Sequence, residues 1–310
     1  MMTYWQTIPD GLLPIQSFKR GCIVNTTDPT EEEKHILQST FKIPEDVIAD
    51  IMDVDERSRI ETEDDKLIII LRIPIQNAES SVPFSTIPMG IIISEEYILV
   101  LCQSRNDVLT EFFTRRKKTA VNFLNKADFI LSLFLHTTNI YHRYLKHINI
   151  QTNIVEQDLE RSTKNEELQK LLRLEKCLVY FTTSLRSNEF LLAKLKTSKF
   201  LRSNEFDEDL LDDVLIENKQ AIEMAKIYSD IQTGMMDAFA SVISNNLNIV
   251  MKQLTIITIV LAIPTMVASF FGMNVPNHFE KSNIAFYIVL GISILMGILG
   301  VFLIRKKRWI

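Results

Sequence analysis

The chain has 310 residues, with 34 Lys+Arg against 39 Asp+Glu and a formal net charge of −5. Its length and 46% apolar content exclude a disordered or collagen-like chain. Mild acidity excludes a general nucleic-acid binder, which needs a basic face, so no nucleic-acid partner is expected.

Met1 to Gly11 has neither a basic n-region nor an apolar h-region. No secretory signal is expected, and the charged part of the chain is expected to stay in the cytoplasm. Residues 1–125 read as an α/β domain. Runs rich in Ile and Val predict strands at Gly21 to Val24, Lys66 to Ile75, Met89 to Ile93 and Tyr97 to Cys102. Between them, Thr27 or Asp28 is expected to cap a helix with Pro29 in its first turn and Glu31-Glu32-Glu33 at its positive end. Pro44-Glu45-Asp46 opens another in the same way. Cys22, Cys102 and Cys177 are widely spaced and form no CxxC pair, so buried free thiols are expected.

The strand signal ends at Lys126. No Pro lies between Pro88 and Pro264, and Gly90 and Gly234 are the only glycines in that stretch. Helices are predicted over about 126–162 and 166–200, a hairpin within 126–206. A third begins near Asp207 and has no stop before Gly272; Leu211, Val214, Leu215, Ile222, Ala225 and Ile231 form its apolar stripe. At a rise of about 1.5 Å per residue it is longer than a membrane is thick, which makes 207–272 a stalk that continues into the bilayer. Helices of this length need partners, so a self-associating bundle is implied.

Leu254 to Phe271 and Ile284 to Ile304 carry no formal charge over 18 and 21 residues. Each is near the roughly 20 helical residues that cross a bilayer. Lys252 and the run Arg305 to Arg308 flank the pair, whereas the loop 272–283 holds only Glu280 and Lys281. Positive flanks mark the cytoplasmic side, so both termini are expected inside, the loop outside, and 305–310 as a basic tail at anionic headgroups. One face of the first span collects Met251, Leu254, Thr258, Ala262, Thr265, Ser269 and Gly272, a heptad-like seam rich in small and hydroxyl side chains. Such a seam serves either a pore or close helix packing. A pore would need several copies, because two spans cannot enclose one.

Phe271-Gly272-Met273-Asn274 ends the first span, behind Met251-Lys252-Gln253-Leu254-Thr255-Ile256 and Pro264-Thr265. The chain closes with Lys306-Lys307-Arg308-Trp309-Ile310. This arrangement resembles the CorA family of magnesium channels. The resemblance implies a homopentamer with a funnel-shaped α/β cytoplasmic domain, long helices and a two-helix transmembrane hairpin whose first spans line one pore in the plasma membrane. It implies Asn274 as the selectivity element meeting the hydrated ion, Gly272 and Met273 shaping its loop, Thr265 as a hydroxyl ring, and Met251 and Leu254 as a hydrophobic constriction. Ala262 departs from the larger apolar residue often found there, and Pro276 stands where some members carry an acid. Neutral oxygens suit magnesium, which sheds its waters reluctantly. The resemblance also implies a regulatory divalent site between subunits, formed by Asp237 and Asp50, with Asp53, Asp55 and Glu56 as alternates to Asp50.

The acids Asp207, Glu208, Asp209, Asp212 and Asp213 read as a helix N-terminus, and Arg115-Arg116-Lys117-Lys118 as a solvated helix end. His35, His136, His142, His147 and His278 have no metal-ligand spacing. With no nucleophile–base pair and no GxxxxGK[ST], neither an enzyme nor an organic cofactor is expected, and Mg2+ is the only cofactor implied. A divalent ion moving down a membrane potential gains about 4.6 kcal/mol per 100 mV without ATP. Rival readings are a zinc or cobalt/nickel transporter of the same superfamily, and a membrane-anchored interaction protein without transport.

Overall fold

The structure is a computed structural model and describes residues 1–8, 11–77, 80–114, 125–161, 165–273 and 284–306. Two compact units divide the chain, Met1–Met236 and Asp237–Ile310. The sequence places boundaries near 125 and 206, but the helical hairpin and the start of the long helix pack within the first unit.

In that unit, β1 (Met2–Ile8), β2 (Gly11–Ile15), β3 (Cys22–Thr27), β4 (Arg59–Glu63), β5 (Lys66–Gln76), β6 (Phe84–Ile93) and β7 (Tyr97–Cys102) form one sheet of order β2-β1-β3-β7-β6-β5-β4. Only β3 and β7 run parallel among the paired strands. Side chains alternate between two cores. Cys22, Val24, Ile68, Ile70, Leu99 and Leu101 face α1 (Glu31–Ser39) and α2 (Glu45–Met52). Ile23, Ile69, Leu71, Ile73, Val100 and Cys102 face the helical side. There lie α3 (Asp107–Thr114), α4 (Lys126–Arg161), α5 (Asn165–Thr197), α6 (Lys199–Ser203) and the first part of α7 (Glu208–Phe271). Burial on both faces explains why β5, β6 and β7 read as continuous apolar runs.

Local chemistry sets the ends of these elements. Thr30, rather than Thr27 or Asp28, caps α1: its hydroxyl accepts from Glu33 N–H at 3.3 Å, and Thr30 N–H donates to the Glu33 carboxylate at 3.1 Å. Asp64 and Asp65, at φ +46° and +60°, make the two-residue turn between β4 and β5. Ser198 caps α6, so the second long helix ends at Thr197 rather than near residue 200, and α6 itself ends at Ser203. Gly90 of β6 lets α2 lie close on the sheet, because a Cβ there would overlap Ile51 Cδ1 and sit 2.7 Å from its Cγ1.

The register of β5 also explains a buried polar network. Arg72 pairs with Pro88 of β6 at a position where its own N–H and C=O point to the other side, and β4 on that side ends at the Arg59–Ile70 pair. Past that point the Asn188 side chain acts as the missing strand: Arg72 N–H donates to Asn188 Oδ1 at 3.0 Å, and Asn188 Nδ2 donates to Arg72 O at 2.8 Å. The Arg72 guanidinium then donates to Val54 O at 2.7 Å, Glu56 O at 2.6 Å and Thr86 O at 2.8 Å. Burial lowers its pKa from the usual arginine value, and Asp55, Asp53 and Glu56 act the other way.

Candidate ion pathway and regulatory carboxylates

Helix α7 changes character along its length. Up to Gln232 it is amphipathic: Leu210, Leu211, Val214, Asn218, Ala221, Ile222, Ala225 and Gln232 are buried. Ile231, expected on this stripe, is exposed, and Gln232 is buried in its place, donating to Leu171 O. Among the described residues of α7, none beyond Gln232 is buried.

The second unit holds the remainder of α7 and α8 (Ala285–Lys306), the two apolar stretches read as spans. The helices meet through a small-residue stripe on α8. Ser293 and Gly297 are buried, a Cβ on Gly300 would come within 3.2 Å of Ile263 Cδ1, and one on Gly297 within 3.9 Å of Pro264 Cγ. Ile256, Val260, Ile263, Pro264 and Val267 are accordingly the half-buried positions of this part of α7. Pro264 removes one backbone donor, yet the helix continues through it.

Met251, Leu254, Thr258, Ala262, Thr265, Ser269 and Gly272 are all exposed in the single chain. At about 100° per residue they lie on the side of α7 opposite the α8 contact. Thr258 Oγ1 donates to Leu254 O and Thr265 Oγ1 to Leu261 O, both at 2.8 Å. Each hydroxyl proton is thereby committed to the backbone, and the oxygen lone pairs are left to accept outward. Gly272 N–H closes the last turn on Ala268 O at 2.9 Å, and Met273 follows it exposed. Asn274, Pro276, His278, Glu280 and Lys281 lie outside the described residues, as do Arg115 to Lys118 and Lys307 to Ile310.

Asp237 is exposed on α7 at the start of the second unit, and its backbone carbonyl accepts from Ser241 Oγ at 3.0 Å. Asp50 sits in the last turn of α2, where Arg59 Nη2 holds its Oδ2 at 2.6 Å. The ion pair was not anticipated from sequence, although Arg59 and Glu61 alternate along a strand and so share a face. Among the alternates, Asp53 and Asp55 are exposed, and Asp53 Oδ1 accepts from Asp55 N–H at 3.0 Å. Among the described residues no group of three His, Cys, Asp or Glu side chains converges on a metal position. The acids at 207–213 start a helix: Asp207 Oδ1 accepts from Asp209 N–H at 3.1 Å and Leu210 N–H at 3.2 Å. All three cysteines are buried and free, and burial pushes the Cys102 thiol up to about 12 and Cys177 to about 11.

The family model described as CorA-like Mg2+ transporter protein matches residues 19–306. This chain belongs to that family. It is 26% identical over 292 residues to the cobalt/magnesium transport protein CorA of Methanocaldococcus jannaschii, covering 93% of this chain and 90% of the relative. It is 23% identical over 272 residues to the protein of the same name from Thermotoga maritima, covering 85% and 76%. The complete structure of the CorA magnesium transporter from Methanocaldococcus jannaschii shares the fold, with a TM-score of 0.83 at 23% identity over 100% of this chain and 99% of that one. The family is one of membrane transporters of divalent cations, and the α/β domain, long helices and paired apolar helices follow its CorA architecture.

Proposed function

We propose that this chain is a Mg2+ channel of the plasma membrane that assembles as a homopentamer and passes the ion down the membrane potential. Five copies of the exposed stripe from Met251 to Gly272 face one axis, with Asn274 at the outer mouth and both termini in the cytoplasm. The observation that carries this reading is the pair of back-bonded threonines on the side of α7 away from α8. Hydroxyls that donate to their own helix present acceptors alone. A ring of acceptors fits the outward hydrogens of a hydrated Mg2+ and leaves its tightly held waters in place. Below them Met251 and Leu254 form an apolar ring at which the pore closes by dewetting. Internal Mg2+ favours closure by bridging Asp237 to Asp50 of a neighbouring copy, two carboxylates that repel without a cation between them.

The test is ion flux through purified protein in liposomes, with Mg2+, Co2+, Ni2+ and Zn2+ supplied separately. Potential-driven Mg2+ uptake is expected, with Asn274→Ala assembling at normal size yet losing most of that uptake. Zinc uptake without magnesium uptake would move the chain to the zinc reading. Absence of any flux from correctly assembled protein leaves the tethered interaction protein.

A further inference from the structure

Asp50 occupies an electrostatically poor position. It lies in the last turn of α2, where the helix carbonyls already concentrate negative charge, and no basic residue of that turn offsets it. The compensating cation comes from β4. Arg59 spends a different nitrogen on each of three carboxylates: Nη2 on Asp50 at 2.6 Å, Nε on Glu61 at 3.3 Å, and Nη1 on Glu56. Three carboxylates against one guanidinium leave a formal charge of −2. Burial pulls the Arg59 pKa down, but hydrogen bonds to Glu61 and Asp50 and the charges of Glu61 and Glu56 outweigh it, so the value is raised.

We propose that Arg59 is an internal counter-ion that competes with divalent cations for Asp50 and thereby sets the Mg2+ concentration at which the regulatory site fills. The inference rests on the reading of Asp50 as a regulatory ligand and goes beyond it. Mg2+ binds protein through one or two carboxylates and keeps most of its waters. Arg59 holds Oδ2 alone, so an ion that approaches Oδ1 meets the guanidinium charge on the same carboxylate, and the two cations compete for its charge. The side chain of Asp50 is 42% exposed, so an ion reaches it from solvent. Arg59 has somewhere to go when displaced, because Glu56 and Glu61 still engage two of its nitrogens. Exchange of one cation for the other leaves no guanidinium unpaired, which keeps the competition reversible.

The experiment measures the Mg2+ midpoint for protection of the full-length reconstituted protein from protease, alongside the midpoint for inhibition of uptake. Arg59→Gln is expected to lower both by about tenfold, the scale of one charge-assisted hydrogen bond discounted for solvent. Arg59→Lys keeps the charge but loses the fork, and is expected to lower them by about threefold. Arg57→Gln removes an exposed neighbouring charge and is expected to stay within about twofold of the parent. In an Asp50→Asn background, adding Arg59→Gln is expected to change nothing further.

If Asp50→Asn alone leaves both midpoints at the parent value, the regulatory reading of Asp50 fails and this inference fails with it. If Asp50→Asn raises the midpoints while Arg59→Gln leaves them unchanged or raises them, the reading stands and the competition is overturned. An equal fall in Arg57→Gln overturns it too, since a general field rather than an ion pair would then be at work. Where Arg59→Gln does not elute as an assembled protein, Arg59→Lys carries the test, and an unchanged or raised midpoint refutes it.

Discussion

Replacing Asn188 by Ala removes the side chain that stands in for a strand beside β5. Three hydrogen bonds disappear: Arg72 N–H to Oδ1, Ser58 Oγ to the same oxygen at 2.7 Å, and Nδ2 to Arg72 O. The Arg72 carbonyl keeps Tyr141 Oη as a donor at 3.1 Å, but its N–H is left without an acceptor. Asn188 is 2% exposed, so water does not readily replace the amide. At about 1 kcal/mol for each of the other two bonds and about 1–2 kcal/mol for the orphaned N–H, the loss comes to about 3–4 kcal/mol. For a unit of this size about 2–4 °C is lost per kcal/mol, which predicts a fall in Tm of about 6–16 °C. The assay is thermal unfolding of the purified full-length protein in detergent, with Asn245→Ala, at an exposed position on α7, expected to leave Tm unchanged. A fall of less than about 2 °C for Asn188→Ala would show that the amide does not extend the sheet. A shift of equal size in Asn245→Ala would show that the change is not specific to the buried site.

Gly90→Ala pushes a methyl group into Ile51 and is expected to lower stability by about 1–3 kcal/mol. Ile51→Ala in the same chain should recover part of the loss, and purely additive effects in the double mutant would refute the contact. Thr265→Val keeps the shape of the side chain but removes its oxygen, so Mg2+ uptake is expected to drop by about tenfold with assembly unchanged; parent uptake would remove Thr265 from the ion path. Asp237→Lys places a fixed positive charge where a bridging ion is proposed, and weaker closure by internal Mg2+ is expected. An inhibition midpoint equal to that of the parent would exclude Asp237 as a sensor.

Much of the chain follows from patterns that operate over a few residues. Strands β5, β6 and β7 are buried on both faces, so their apolar runs stand out without any knowledge of neighbours. The long helices announce themselves by apolar spacing and, from Lys126 to Gln253, by the lack of Pro and the presence of a single Gly, Gly234. The two apolar stretches are legible from charge-free length, and the orientation proposed for them rests on their basic flanks, neither of which depends on tertiary contacts. Strands β1, β2 and β4 escaped notice because they lie toward the sheet edges and are only partly buried, so their composition is mixed. The stripe from Met251 to Gly272 was visible as a periodicity. Its exposure on the side away from α8 was settled only by which residues of α7 meet Ser293, Gly297 and Gly300. Asp50 shows the same division. Its residue type and setting were legible, but its partner Arg59 was not, because a hairpin register nine residues later brings that guanidinium to the end of α2. Local sequence dictates where helices and strands form, since propensity, capping and periodicity act within one or two turns. Which polar groups come to share a site depends on how distant segments pack, and only the folded chain decides that.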